Sequence, residues 1–133
     1  MIYIGTKCQL TQEVTEELTA QRIGSGTLPV YGTPCMAALM ENAALTVLQT
    51  FLEEGQGSVG TRLDITHDAP TPIGMSVTAE AEIVSVSENG KTVEFAVKAW
   101  DERGLIGAGT HTRAIINEER FLNRCNSKRN PPA

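Results

Sequence analysis

One segment limits the folds open to this chain more than any other. In Thr33 to Gly55, TPCMAALMENAALTVLQTFLEEG, apolar residues recur at three-to-four spacing: Met36, Leu39, Met40, Ala43, Ala44, Val47, Leu48, Phe51 and Leu52. That period predicts one long helix. Its ends are marked, with Thr33 suited to cap the first turn, Pro34 to the first helical position and Gly55 to a permissive stop. A helix this apolar must be covered on most sides, so the remaining residues have to supply a surface that wraps it. At roughly 100° per residue, Asn42, Thr46, Gln49, Thr50 and Glu53 share a polar arc, but Glu41 does not join them. It projects between Leu48 and Leu52, in the arc of Ala37, Ala44 and Leu45. A carboxylate turned toward a core is costly unless it is paired, hydrogen-bonded or neutralised. Glu41 is therefore either a functional carboxylate or a structural one bonded to a neighbouring backbone or a partner subunit.

The covering surface reads as antiparallel strands. Lys7 to Val14 alternates loosely and is a candidate first strand, followed by a variable loop through Gly24, Ser25 and Gly26. After the helix the pattern changes to a period of two. Ser58 to His67 is the first such run, and in Met75 to Val86 the residues Val77, Ala79, Ala81 and Ile83 alternate with Thr78, Glu80 and Glu82. Ser87-Glu88-Asn89-Gly90 is a hairpin signal. Thr92 to Trp100 places Val93, Phe95, Val97 and Ala99 on one face. A second turn at Asp101 to Gly104 leads into Leu105 to Ile116, where Ile106, Ala108, Thr110, Thr112, Ala114 and Ile116 share a face. Gly107 and Gly109 stand opposite, where small residues admit another backbone or a ligand. The expected fold class is α+β, an antiparallel sheet wrapped around one long helix, as a single domain over residues 1–133. There is no βαβ alternation, Gly-x-Gly-x-x-Gly or phosphate loop, which disfavours nucleotide-binding α/β enzymes. A single sheet leaves edges to hide, so a homodimer is expected, with a tetramer as the larger alternative.

Composition narrows the function classes. The N-terminus MIYIGTKCQL lacks the basic start and apolar run of a signal peptide, and no stretch has the apolar length of a membrane span, so a soluble, cytoplasmic protein is expected. Cys8, Cys35 and Cys125 are odd in number and widely spaced, and His67 and His111 stand in no ligand spacing, so neither a disulfide framework nor a metal is expected. The net charge of −5 divides unevenly. From Arg113 onward the balance is +3, which leaves −8 for the remainder. The acidic body argues against nucleic acid, and the basic tail is either a landing site for a small polyphosphate or a solvated terminus.

Thr33 at the helix start, Glu41 two turns on and His67 at the end of the next strand stand out together. The segments VYGTPCMAALMENAALTVLQ, EGQGSVGTRLDITHDAPTPIGMSVTAEAEI and IGAGTHTRAII resemble the hotdog-fold acyl-CoA thioesterases, in particular the subgroup typified by fluoroacetyl-CoA thioesterase, over roughly Thr6 to Arg124. The resemblance implies a hotdog fold, a catalytic trio of Thr33, Glu41 and His67, and a thioester site lined by the backbone of Gly60. It further implies a dimer with the acyl thioester at the subunit interface, an acyl-CoA substrate and no cofactor. The loop from Ala20 to Val30 contains no Phe, so an aromatic lid suited to a small fluorinated acyl group is not evident.

The residue types suit thioester hydrolysis, which needs an attacking oxygen, a proton acceptor and donors for the oxyanion. Glu41 can attack or activate water, His67 can move a proton near neutral pH, and Thr33 can donate a hydrogen bond or act as nucleophile. Since Pro34 has no N–H, the oxyanion donors are sought at Cys35, Met36 or Gly60. The Cys35 thiol, at a helix start, is a nucleophile of lowered pKa or a packing residue. His111 either orients the site or sits in the sheet, and Arg113, facing the same way, is a candidate contact for a CoA phosphate. Acyl-chain length would be set by side chains such as Met36, Met40, Leu63 and Trp100. Two rival readings share the fold. A hydratase or dehydratase would have an Asp four residues before a His, which Asp64 and His67 do not match, and a non-catalytic acyl-CoA sensor would bind thioester without turnover.

Overall fold

The alternation of small and branched residues after the helix produces hairpins that join into one sheet. The computed structural model describes residues 1–132. It contains strands β1 (Lys7–Glu13), β2 (Gln56–His67), β3 (Ser76–Val86), β4 (Thr92–Trp100) and β5 (Leu105–Asn117), and helices α1 (Ala20–Ile23), α2 (Thr33–Gln49) and α3 (Glu118–Asn126). All strand pairs are antiparallel, in the order β1-β3-β4-β5-β2, so β1 and β2 are the two edges. Helix α2 packs on one face of the sheet. Its Met36, Met40, Ala43, Ala44 and Leu48 are buried together with Val77, Ala79, Ala81 and Ile83 of β3 and Val93, Phe95, Val97 and Ala99 of β4. The hairpin between β3 and β4 turns where expected, with Gly90 at φ 74° and the Asn89 side chain accepting from the Lys91 amide at 2.9 Å.

Four features differ from expectation. Helix α2 ends at Gln49 rather than running to Gly55. The Thr50 hydroxyl donates to the Val47 carbonyl at 2.7 Å, Gln56 and Glu53 bond to each other across the turn, and Gly55, at φ 86°, redirects the chain into β2. At the other end Gly32 is the N-cap, while Thr33 is already helical and directs its hydroxyl elsewhere. A Cβ at Gly32 would lie 2.7 Å from Ile23 Cδ1 and 3.3 Å from the Ala20 amide nitrogen, so α1 approaches closely there and a larger residue would have to push the Ile23 side chain aside. In β5 the face turned to α2 is that of Gly107, Gly109, His111 and Arg113, because these pair with Ala99, Val97, Phe95 and Val93. Gly107 lies under Met36 and against the Thr66 carbonyl, and a Cβ at Gly109 would overlap the Asp64 carbonyl oxygen, so the small residues admit the backbone of β2. Trp100, finally, shares the outer face with Lys98, whose Nζ lies 5.9 Å from the ring centre, so it cannot set the depth of a pocket beneath α2.

The tail beyond β5 is partly helical. Asn117 caps α3 by accepting from the Arg120 amide at 3.0 Å, with Glu118 and Glu119 in the first turn, where negative charge is favourable. Among the described residues no helix is long and apolar enough to cross a membrane, and no group of three or more His, Cys, Asp or Glu is placed to hold a metal.

Candidate active site

Two clusters of polar residues are built along β2, one at each end of its inward face. The first forms where the start of α2 meets the end of β2. Thr33 Oγ1 lies 2.7 Å from His67 Nδ1, and the buried Tyr31 ring stands edge-on to the imidazole with centroids 6.4 Å apart. The Tyr31 hydroxyl is held by Gln12 at 2.5 Å. A cavity of about 250 Å³ opens here, lined by Val30, Tyr31, Thr33, His67, Ala69 and Pro70 among others. Burial holds the His67 pKa below its ordinary value, against the opposing pull of Asp68 and a backbone hydrogen bond at Ala69, so the ring is neutral at pH 7. Its Nε2 is buried and has no hydrogen-bond partner among the described residues.

The second cluster surrounds Glu41. A bulge at Thr61 shifts the register between Gly60 and Arg62, which turns Gly60 to the same side as Leu63, Ile65 and His67. A Cβ on Gly60 would sit 2.8 Å from Glu41 Oε2 and 3.1 Å from His111 Cε1, so glycine lets the carboxylate lie directly on the strand backbone. Arg113, only 6% exposed, donates from Nε to Ser58 Oγ at 2.8 Å and from NH2 to the Ser58 carbonyl at 3.0 Å. Its NH1 lies 3.2 Å from His111 Nε2 and 4.0 Å from Glu41 Oε2. His111, 1% exposed, has Nδ1 2.7 Å from the Arg62 carbonyl. A carbonyl can only accept, so Nδ1 carries the proton and Nε2 accepts from Arg113. Burial, and then the Arg113 charge, keep the His111 pKa low, consistent with this neutral tautomer. Burial also lowers the Arg113 pKa, and the Glu41 carboxylate opposes that shift.

The expected trio is thus not one cluster within a single chain. Thr33 and His67 are hydrogen-bonded, but Glu41 stands eight residues, about 12 Å, further along α2. Gly60 and His67 are separated by seven residues of β2, on the order of 20 Å. Glu41 is not enclosed by core either, since 42% of its side chain is exposed and its carboxylate faces Gly60 and Arg113. The Cys35 thiol has its pKa raised by burial, the opposite of the lowered value a nucleophile at this position would need. The Cys35 and Met36 amides both donate to the Gly32 carbonyl, at 2.9 and 3.1 Å, which removes them as oxyanion donors. The Thr33 amide, by contrast, makes no hydrogen bond among the described residues and belongs to the exposed start of α2. Arg113 is an internal cation rather than a surface one, and Ser58, which holds it, and Tyr31, which packs on His67, are site residues with no spacing signal in the sequence.

A five-stranded antiparallel sheet in this order, packed on one long helix, defines a hotdog-fold protein. The chain is 25% identical to a hot-dog-like protein from Thermanaerovibrio acidaminovorans, with a TM-score of 0.85 over 98% of this chain and 94% of that one. It also matches a solved structure of fluoroacetyl-CoA thioesterase at 32% identity, with a TM-score of 0.89 over 99% of both chains. The family model described as fluoroacetyl-CoA-specific thioesterase matches residues 14–119, and the chain belongs to that family. The fluoroacetyl-CoA thioesterase of Streptantibioticus cattleyicolor is 44% identical over 92 residues, which are 69% of this chain. The match spans 65% of the length of that relative.

Proposed function

We propose that this chain is an acyl-CoA thioesterase that hydrolyses a small or medium acyl-CoA to the free acid and CoA, as a cytoplasmic homodimer with its sites between subunits. The observation that carries the reading is the division of the site residues along β2. Strand β2 is a twelve-residue edge whose outer side is unpaired in one chain. An edge of that length invites a second strand. If it pairs antiparallel with its own copy about a two-fold axis near Leu63 and Asp64, Gly60 of one copy lies opposite His67 of the other. The Thr33–His67 pair then meets the Glu41–Gly60–Arg113 cluster across the interface, and a thioester between them touches both.

In that arrangement Glu41 takes a proton from water as its oxygen adds to the thioester carbonyl. His67 donates through Nδ1–H to Thr33 Oγ1, which frees the Thr33 O–H to donate to the developing oxyanion beside the Thr33 and Gly60 amides. The C–S bond then breaks, and the thiolate recovers the proton from Glu41. Arg113, fixed by Ser58 and His111, positions the carboxylate. No aromatic ring stands between Ala20 and Val30, so the fluoroacetyl specificity named for the relatives is not carried to this chain. The test is release of free CoA from acetyl to decanoyl and aromatic acyl-CoA esters. Wild-type turnover that falls at least about a hundredfold in Glu41→Ala, the range expected on losing a general base, with retained folding, supports the reading. Unchanged turnover in the variant removes Glu41 from the mechanism, and saturable binding without turnover in the wild type replaces hydrolysis with sensing.

A further inference from the structure

Three cations gather at the end of the molecule where β5 runs into α3. Arg120 and Arg124, one helical turn apart, project from α3, and Lys91 comes from the hairpin between β3 and β4. They line one groove with Ile116, Asn117 and the partly exposed Phe121, with a volume of about 470 Å³. It is continuous, through Lys91, Asn117 and Arg120, with a second hollow of about 580 Å³ bordered by Asn89, Gly90 and Ile2. None of the three cations is within ion-pair distance of a carboxylate among the described residues. The chain up to Thr112, Lys91 included, carries −8, whereas from Arg113 onward the balance is +3, so this end is where a polyanion is attracted.

The position relative to Glu41 is informative. Asn117 lies four residues beyond Arg113 on β5, about 13 Å away, and Lys91 lies two residues before Val93, which pairs with Arg113. A pantetheine arm has the contour of between four and five extended residues, about 15 Å. A thioester held at Glu41 and Gly60 can therefore place its phosphates at the groove. We propose that Lys91, Arg120 and Arg124 bind the phosphorylated adenosine end of the CoA thioester, with the Phe121 ring offering a face to the adenine. This rests on the thioesterase reading for its choice of ligand. It assigns to the basic tail the phosphate contact that the buried Arg113 is not placed to make.

The groove is tested by binding, which needs no turnover. Free CoA and pantetheine are titrated by calorimetry into the wild type and into the triple variant Lys91→Ala, Arg120→Ala, Arg124→Ala, whose replaced side chains are exposed. CoA should bind the wild type at least tenfold more tightly than pantetheine, and that advantage should vanish in the variant and shrink steeply with added salt. Equal affinity of the wild type for the two probes overturns the proposal, as does an advantage that survives the triple substitution. In parallel, the variant should raise KM for an acyl-CoA at least tenfold while leaving kcat/KM for the matching acyl-pantetheine unchanged. An intact CoA preference in binding without hydrolysis of any thioester would sink the hydrolase reading and leave the groove standing.

Discussion

At the scale of single residues, the proposed site depends on what is missing from Gly60 as much as on what Glu41 carries. A methyl group there would meet Glu41 Oε2 at 2.8 Å, and the flexible carboxylate would yield before the strand does. Gly60→Ala should therefore lower kcat at least tenfold while moving the thermal midpoint little, measured by CoA release and by thermal unfolding. Unchanged kcat would mean that the carboxylate does not need its place on the strand. The two histidines make a separate prediction. Burial places both folded pKa values below the ordinary imidazole value of about 6.5. Below that value the unfolded chain binds protons that the folded chain resists, so stability should be level above about pH 6.5 and fall as the pH drops toward the lowered folded values. Urea unfolding midpoints from pH 8 to pH 5 test this, and a midpoint that does not decline below pH 6.5 would contradict it.

At the scale of elements, β2 and β5 show how far the sequence can be read. The strands starting after the helix were legible to within two residues at each end, because Val, Ile and Ala alternate there over a whole strand. The long helix was legible in its register and blurred at its ends. Phe51 and Leu52 continue the apolar period beyond Gln49, while the break comes from a Thr50 hydroxyl bond and a side-chain clasp at Gln56 that no periodicity encodes. In β5 both faces are mixed, and the inward one is decided by the pairing with β4, a tertiary choice. The candidate site could be proposed from the sequence as a set of residues and not as an arrangement, since the division of Thr33 and His67 from Glu41 follows from the lengths of α2 and β2 rather than from any motif. Helix α3 carries its own sequence signal, an Asn cap followed by two glutamates. The packing of β5 on β2 is itself testable. In Gly109→Ala a Cβ would overlap the Asp64 carbonyl, and backbone cannot yield cheaply, so unfolding should show a loss of about 3 kcal/mol. A loss below experimental error would mean that the two strands are not held at this distance.

At the scale of the whole molecule, each chain of the proposed dimer carries two halves of different sites, and pairing through β2 completes both. Two inactive variants therefore provide the most direct test. Glu41→Ala and His67→Ala are each prepared as a dimer, mixed, exchanged through mild denaturation and refolded together. If the site spans the interface, a hybrid dimer has one site with both substitutions and one with neither. Random exchange should then restore about one quarter of wild-type CoA release, because half of the dimers are hybrids with one intact site of two. If each chain holds its own complete site, every site in the mixture carries one substitution. Activity that stays at the level of the separate variants, with hybrid formation verified by mass, would contradict the account.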